Sequence, residues 1–323
     1  MRCPRLDHFV RFNPNGTVSR CGHMVNAPQF DTLDQMDSSK WLRTVRDQLN
    51  QNQWPTECGR CEQTENISGS SIRKNSIEFE KTQLLDDYLV VGGVLDNICN
   101  SACQFCNEDL STKIGSLKSK TYPIVDNTNR FWDLPVDRVT HLDLNGGEPA
   151  HSKNYKNILA NLPNSVQSIR LNTNGSTVLT ELEDLVARGI DVTVTVSFDG
   201  AGPVHDYVRW PIKWEKVIYN ISVYRDMDVN LNLWTTVNAL NVAQLPYLVQ
   251  LADRYDIDHS WALLDSPDPL NIKYKNRFTL AAKESVEHLV DYIAVDRDNT
   301  AELDQFIQAQ DQLRGISIQD YIQ

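Results

Sequence analysis

The hydrophobic pattern changes character partway along the chain. From Tyr88 onward, apolar runs of strand length alternate with stretches whose apolar residues recur at helical spacing. Tyr88–Leu95, Val139–Leu144, Val166–Asn172, Val192–Phe198, Val229–Val237 and Ser260–Leu264 read as strands. Lys153–Leu162, Leu179–Ala187, Trp214–Asp226 and Val242–Tyr255 read as the helices between them. This alternation predicts an α/β fold with a parallel sheet and crossover helices, its chemistry gathered at the C-terminal strand ends. An open sheet, a full barrel and a partial barrel all satisfy it. After Phe278, the spacing of Leu280, Val286, Leu289, Ile293, Leu303, Phe306 and Ile307 predicts a helical extension over 276–323. Residues 1–80 look different: polar and irregular, with a turn at Asn13 to Gly16 and one helically spaced trio, Trp41, Val45 and Leu49. Such a segment lacks the periodicity to bury a core alone, and a bound metal could supply the missing stability.

Composition narrows the class. With 323 residues, 41% apolar and 23% charged, the chain has soluble globular composition. No run approaches the roughly 20 apolar residues of a membrane helix. The opening Met-Arg-Cys-Pro-Arg lacks the apolar core of a signal peptide, so the expected location is cytoplasmic, with no membrane partner. A net charge of −12, spread along the chain, argues against a nucleic-acid backbone binder.

Seven cysteines, an odd number, fit poorly with a closed disulfide framework and better with metal or redox chemistry. Cys99, Cys103 and Cys106 have C-x3-C-x2-C spacing, directly after the first α/β strand and with Phe105 before the last cysteine. Three thiolates on one short loop can cap three corners of an iron–sulfur cube and leave the fourth iron open; a zinc loop competes with that reading. The second strand ends in Gly146-Gly147-Glu148-Pro149, where glycines admit a ligand to the backbone and a carboxylate could receive an ammonium. Alone, these four residues serve equally well as a strand-terminating turn. The remaining cysteines are Cys3 and Cys21, with Gly16 between them, and the pair Cys58 and Cys61. Four thiolates suit a tetrahedral zinc or a closed [4Fe–4S] cube, and spacing does not choose.

Taken together, the cysteine loop, the Gly-Gly-Glu-Pro turn and the run Ser197-Phe-Asp199-Gly200 with His205-Asp206-Tyr207-Val208-Arg209 resemble the radical SAM superfamily over roughly Tyr88 to Leu270. The resemblance implies a partial (β/α)6 TIM-like barrel over 81–275. It implies a [4Fe–4S] cluster on Cys99, Cys103 and Cys106 whose open iron chelates S-adenosylmethionine (SAM). Electron transfer, from flavodoxin or ferredoxin, would then yield a 5′-deoxyadenosyl radical that takes hydrogen from a substrate. By the same resemblance the backbone at Phe105 lies near the adenine, and Gly146, Gly147 and Glu148 meet the SAM amino group. Ser197 contacts the ribose and Asp199 the ribose or substrate, unless it only fixes the turn. Arg209 takes the SAM carboxylate, which its planar fork suits, and Asn238 after the fifth strand faces the same pocket. His205 and Asp206 read as a helix cap and a surface pair. Tyr207, Trp210, Trp234 and Trp261 read as core aromatics before pocket walls.

Residues 1–80, through the four cysteines and Trp54, Glu65, Gly69, Ser71 and Arg73, resemble the Twitch module, a shortened SPASM domain. That implies an auxiliary [4Fe–4S] cluster on Cys3, Cys21, Cys58 and Cys61, with His8 or His23 as stand-ins should Cys3 not ligate. In the best-known members the module follows the radical SAM domain; here it precedes it. The Ser197–Arg209 run is similar to the peptide-modifying branch, so the expected substrate is a peptide or protein side chain. A small-molecule substrate such as a sugar or nucleoside, and a non-enzymatic zinc protein, are the alternatives. No residue stands out as a catalytic acid or base.

Overall fold

The computed structural model describes residues 1–83, 87–290 and 295–322. Its strands are β1 (Phe9–Phe12), β2 (Val18–Ser19), β3 (Leu89–Val94), β4 (Val139–Asn145), β5 (Ser168–Thr173), β6 (Asp191–Ser197), β7 (Asn230–Val237) and β8 (Asp258–Leu263). In sheet order they run β2-β1-β3-β4-β5-β6-β7-β8. All six strands predicted from Tyr88 onward are present, within two residues of the expected starts and ends. The chain forms two compact units: residues 1–97, 125–146 and 154–170 make the first, and residues 98–124, 147–153 and 171 onward the second.

The first unit is more regular than its polar sequence suggested. β1 pairs in parallel with β3, from Phe9 opposite Val90 to Phe12 opposite Gly93, and β2 folds back antiparallel on β1. Four residues are too few to show alternation, which is why Phe-Val-Arg-Phe did not read as a strand. The Asn13–Gly16 turn is real: Asn13 N–H donates to Thr17 O at 2.8 Å. Helix Lys40–Asn50 starts on Ser39, whose hydroxyl accepts from Leu42 N–H, and buries Leu42, Val45 and Leu49. Helices Gly59–Ser68 and Ile72–Glu80 follow, and the first of these buries nothing.

In the second unit β6, β7 and β8 are parallel and in register, Ser197 beside Trp234 and Trp234 beside Ser260. The opposite face carries Val192, Val194, Val196, Leu233 and Val237, all buried. The predicted helix over 242–255 is divided into a 3-10 turn, Val242–Gln244, and an α-helix, Leu245–Tyr255. Pro246 causes the division, because it lacks a donor and suits only a helix's first turn. Helices Arg277–Val286 and Thr300–Arg314 supply the helical C-terminal extension, while Ile293 lies outside the described residues. Leu303 and Ile307 pack with Tyr207, Val208, Leu240 and Leu270. Among the described residues no helix is long and apolar enough to cross a membrane.

Gly93 has φ +90, and a Cβ there would lie 2.2 Å from Phe12 O. Gly93→Ala is therefore expected to cost about 3 kcal/mol, from left-handed strain plus backbone overlap. Gly69 caps a helix at φ +72 with open space around it, so Gly69→Ala should cost only about 1 kcal/mol. Urea unfolding of the two variants checks this, and equal losses would show that β1 does not press on β3.

Candidate functional site

The three-cysteine loop is held along its whole length. At its start, Cys99 N–H donates to Thr112 Oγ1 at 3.1 Å, and Ser111 Oγ donates to Ser101 O at 2.6 Å. In its middle, Ala102 N–H donates to Trp210 O at 2.7 Å and Gln104 N–H to Val208 O at 2.9 Å. On the other edge Arg314 donates from Nε to Ala102 O at 2.8 Å and from Nη2 to Cys103 O at 3.0 Å. Ser101 N–H points at Cys99 Sγ (3.4 Å), and the Ser101 hydroxyl lies 3.0 Å from Cys103 Sγ. Burial, then the neighbouring cysteine sulfurs, push the Cys99 thiol up and the Cys106 thiol up to about 12. Three soft donors so close that their thiolates repel fit a cationic centre that replaces the protons. Among the described residues no three His, Cys, Asp or Glu side chains converge on one ion. An iron–sulfur cube asks for less, since each thiolate meets a different corner.

Glu148 is tied to this loop through the backbone, its N–H donating to Ile98 O at 2.7 Å. Its buried carboxylate accepts from Thr173 Oγ1 (2.7 Å), Asn174 N–H (2.6 Å) and Ala150 N–H (3.1 Å). Burial still pushes its pKa above the ordinary carboxylate range. The polar end of β5 reaches the loop as well: Asn174 Nδ2 donates to Asn100 Oδ1 at 2.8 Å. Gly147 has φ +61, beyond easy reach of a side-chain-bearing residue. Gly146, in the first unit, has φ +84, and a Cβ there would meet Val94 at 2.6 Å, so packing alone already requires it.

Asp199 and Arg209 form a buried pair. Arg209 donates to Asp199 Oδ2 from both Nε and Nη2 at 2.5 Å, and Asp199 also accepts Thr236 N–H at 2.5 Å. The third nitrogen, Nη1, lies 3.5 Å from Cys103 Sγ, and the guanidinium sits 5.3 Å from the Phe105 ring centre. Burial opposes the charge on Arg209, but Asp199 and Cys103 beside it raise its pKa, so it stays protonated.

Cys99, Cys103, Cys106, Phe105, Glu148, Asp199 and Arg209 thus share one set of contacts. Ser197 ends β6, half-buried, in the row with Trp234 and Ser260. Asn238 is used by its own turn: its amide donates to Thr236 O and its oxygen accepts Leu240 N–H, both at 3.0 Å. Asp206 is the cap and surface partner expected, accepting Trp214 N–H at 2.7 Å and pairing with Lys213. His205 is neither; it is fully buried against Trp214, and burial pushes its pKa down to about 3. Tyr207 is core, Trp210 and Trp261 are half-buried, and Trp234 is 37% exposed. The loop's supports Ser101, Thr112 and Arg314 went unread in the sequence. No local pattern marks them, since an arginine in a helix's last turn is ordinary.

In the first unit, Cys3, Cys21, Cys58 and Cys61 line one pocket together with His23 and Arg73. Burial and then the neighbouring cysteines push Cys3 up to about 11 and Cys58 up to about 12, and burial raises Cys61. Arg73 grips Glu65 through Nε (2.8 Å) and Nη2 (2.7 Å), and Ser71 Oγ donates to the same carboxylate at 2.6 Å. Its Nη1 donates to Arg2 O at 2.9 Å, fixing the residue before Cys3. His8 is engaged elsewhere, stacked on Tyr88 at 4.2 Å.

The family model of the radical SAM superfamily matches residues 94–251. The pre-heme d1 synthase of Dinoroseobacter shibae is 26% identical over 165 residues, which are 50% of this chain and 39% of that protein. The solved structure of native anSMEcpe with bound AdoMet aligns at 18% identity and TM-score 0.44, over 71% of this chain and 62% of that one. Streptococcus suis SuiB bound to the precursor peptide SuiA aligns at 13% identity and TM-score 0.44, over 89% and 70%. This chain therefore spans less than two thirds of the first two proteins.

Removing one member of a buried pair strands the other charge. Asp199→Asn and Arg209→Met are each expected to destabilise the chain by about 3–5 kcal/mol. The double variant should lose clearly less than the two single losses combined. Urea unfolding of all four proteins measures the coupling, and strictly additive losses would contradict the pair.

Proposed function

We propose that the chain is a radical SAM enzyme, a reading supported by the superfamily model over residues 94–251, that Cys99, Cys103 and Cys106 hold its [4Fe–4S] cluster, and that it acts on a peptide or protein side chain. The observation that carries the cluster reading is the buried loop itself, with Arg209 Nη1 on Cys103 Sγ and Glu148 N–H on Ile98 O. Holding SAM, such a cluster would supply the electron that splits a carbon–sulfur bond into methionine and a 5′-deoxyadenosyl radical, which would take hydrogen from the substrate.

The protein's own residues bind and orient. Glu148 receives the SAM ammonium, a cation that offsets the cost of holding its carboxylate ionised out of water. Arg209 spends Nε and Nη2 on Asp199, which leaves Nη1 as the donor for the SAM carboxylate on the cysteine side. Ser197 takes the ribose from the end of β6, and the backbone at Phe105 and Gly147 stays free for close approach. Asp199 acts by orienting Arg209. The peptide reading is supported by the Ser197–Arg209 run and its likeness to the peptide-modifying branch.

Cys3, Cys21, Cys58 and Cys61 hold an auxiliary [4Fe–4S] cluster in this reading, supported by four thiols on one pocket and by the Arg73 anchor beside Cys3. Functionally, 1–80 is then the auxiliary module, 81–275 the radical SAM domain and 276–323 a helical extension. The auxiliary site accepts an electron from the substrate radical or relays one, with flavodoxin or ferredoxin as donor in a reducing cytoplasm.

Anaerobic reconstitution tests the reading. About eight irons per chain are expected, from two four-iron clusters, with reductant-dependent release of 5′-deoxyadenosine from SAM. Cys99→Ala should abolish that release, whereas Cys58→Ala should keep it while lowering the iron content. Stoichiometric zinc with no SAM cleavage would overturn the proposal.

A further inference from the structure

We propose that Arg314 is a positioning residue for the cysteine loop: from the end of helix Thr300–Arg314 it clamps the carbonyls of Ala102 and Cys103, and so fixes where Cys103 presents its sulfur. This rests on the reading that Cys99, Cys103 and Cys106 hold the cluster.

The backbone around Cys103 is gripped from two sides. One edge donates, Ala102 N–H to Trp210 O and Gln104 N–H to Val208 O. The other edge accepts, and both of its carbonyls go to one guanidinium, Nε to Ala102 O and Nη2 to Cys103 O. Arg314 is itself fixed, because Nη1 donates to Gln310 O one turn earlier in its own helix, at 3.1 Å. Only 6% of Arg314 is exposed, so water does not compete for these carbonyls.

The same helix also holds the other edge. Asp311, three residues before Arg314, accepts the Tyr207 hydroxyl at 2.7 Å, and Tyr207 directly precedes the strip that receives the loop's N–H groups. Residues three apart lie on one helix face. That face therefore braces both layers of the cluster loop, Asp311 through Tyr207 and Arg314 directly. A planar fork meets two adjacent carbonyls with two separate, pre-oriented nitrogens, whereas lysine brings a single nitrogen to both, so lysine is a poorer replacement.

The test uses the full chain, reconstituted anaerobically with iron and sulfide, as wild type, Arg314→Ala and Arg314→Lys, with the surface change Arg297→Ala as control. Two quantities are read: the rate at which an iron chelator strips iron, and the midpoint potential of the SAM-binding cluster by EPR-monitored titration. Outer partners of metal ligands typically matter by about tenfold or more. Arg314→Ala should lose iron from the three-cysteine site about tenfold faster than wild type, with Arg314→Lys in between. The potential should fall in Arg314→Ala, because a nearby positive charge is gone, and fall less in Arg314→Lys. Should Arg314→Ala fail to fold, Arg314→Lys carries the test alone. Wild-type stripping rates and potentials in a folded variant overturn the proposal. Absence of iron from the wild type would instead defeat the cluster reading on which it stands.

Discussion

A guanidinium taken out of water is costly unless an anion faces it, and Arg209 has the Asp199 carboxylate on one edge and the Cys103 sulfur beyond the other. That requirement fixes the course of the chain through the second unit. Asp199 leaves the end of β6, Arg209 follows the short helix Pro203–Val208, and the chain must turn back sharply between them. Gly200 at φ +133 and Gly202 at φ +54 make the reversal possible, and a Cβ on Gly200 would sit 2.9 Å from Val204. The strip at Val208–Trp210 then lies where its carbonyls can receive the loop's N–H groups. One ion pair thus sets the turn, the strip and the orientation of the cysteine loop.

The two sulfur sites solve opposite problems of chain entropy. Cys99, Cys103 and Cys106 come on eight consecutive residues, so bringing them together costs little loop closure. What costs is holding so short a loop still, and the hydrogen bonds it gives to Thr112, Val208 and Trp210 and receives from Ser111 and Arg314 do that. Cys3, Cys21, Cys58 and Cys61 are spread over most of the first 61 residues, so their meeting closes long loops. The first unit offsets that with the pairing of β1 on β3 and with Arg73, which joins Glu65 on the helix of Cys61 to the carbonyl before Cys3. Cys3, whose carbonyl accepts Leu6 N–H in the turn that follows it, is thus also anchored through a residue 70 positions away.

β3, β4 and β6 were legible because each carries a largely buried run rich in Val or Leu, and β5 and β7 because their apolar residues alternate; β8, mostly exposed, has no such run. The cysteine loop, the Gly-Gly-Glu-Pro turn and the Asp-Gly reversal were legible for the same reason: each is a local sentence. What could not be read depends on partners distant in sequence. β1 is a strand because β3 lies beside it. Arg314 looks like any basic residue at a helix end until Ala102 and Cys103 are placed against it. His205 follows the same rule in reverse, since a polar residue at the start of a short helix suggests a cap, yet the turn at Gly200 carries it into the core. Asn238, read as facing the SAM pocket, closes the turn that follows β7.

Net charge is the measure that told least about the sites. The chain carries −12, yet guanidinium ions stand among its sulfurs: Arg209 and Arg314 draw the Cys106 thiol down, Arg5 does the same for Cys3, and Arg73 stands beside Cys3 and Cys61, while Glu57, Glu65 and Glu148 act in the opposite sense on Cys58, Cys61 and Cys99. Both distributions follow from one rule. Exposed carboxylates are solvated and screened, so they can accumulate on a surface at little cost. Thiolates gathered out of water repel each other and cannot be screened, so each group needs fixed cations within a few ångströms. The buried arginines here, Arg20 aside, stand beside cysteines, as does the partly buried Arg209: Arg73 with the four-cysteine pocket, Arg209 and Arg314 with the three-cysteine loop.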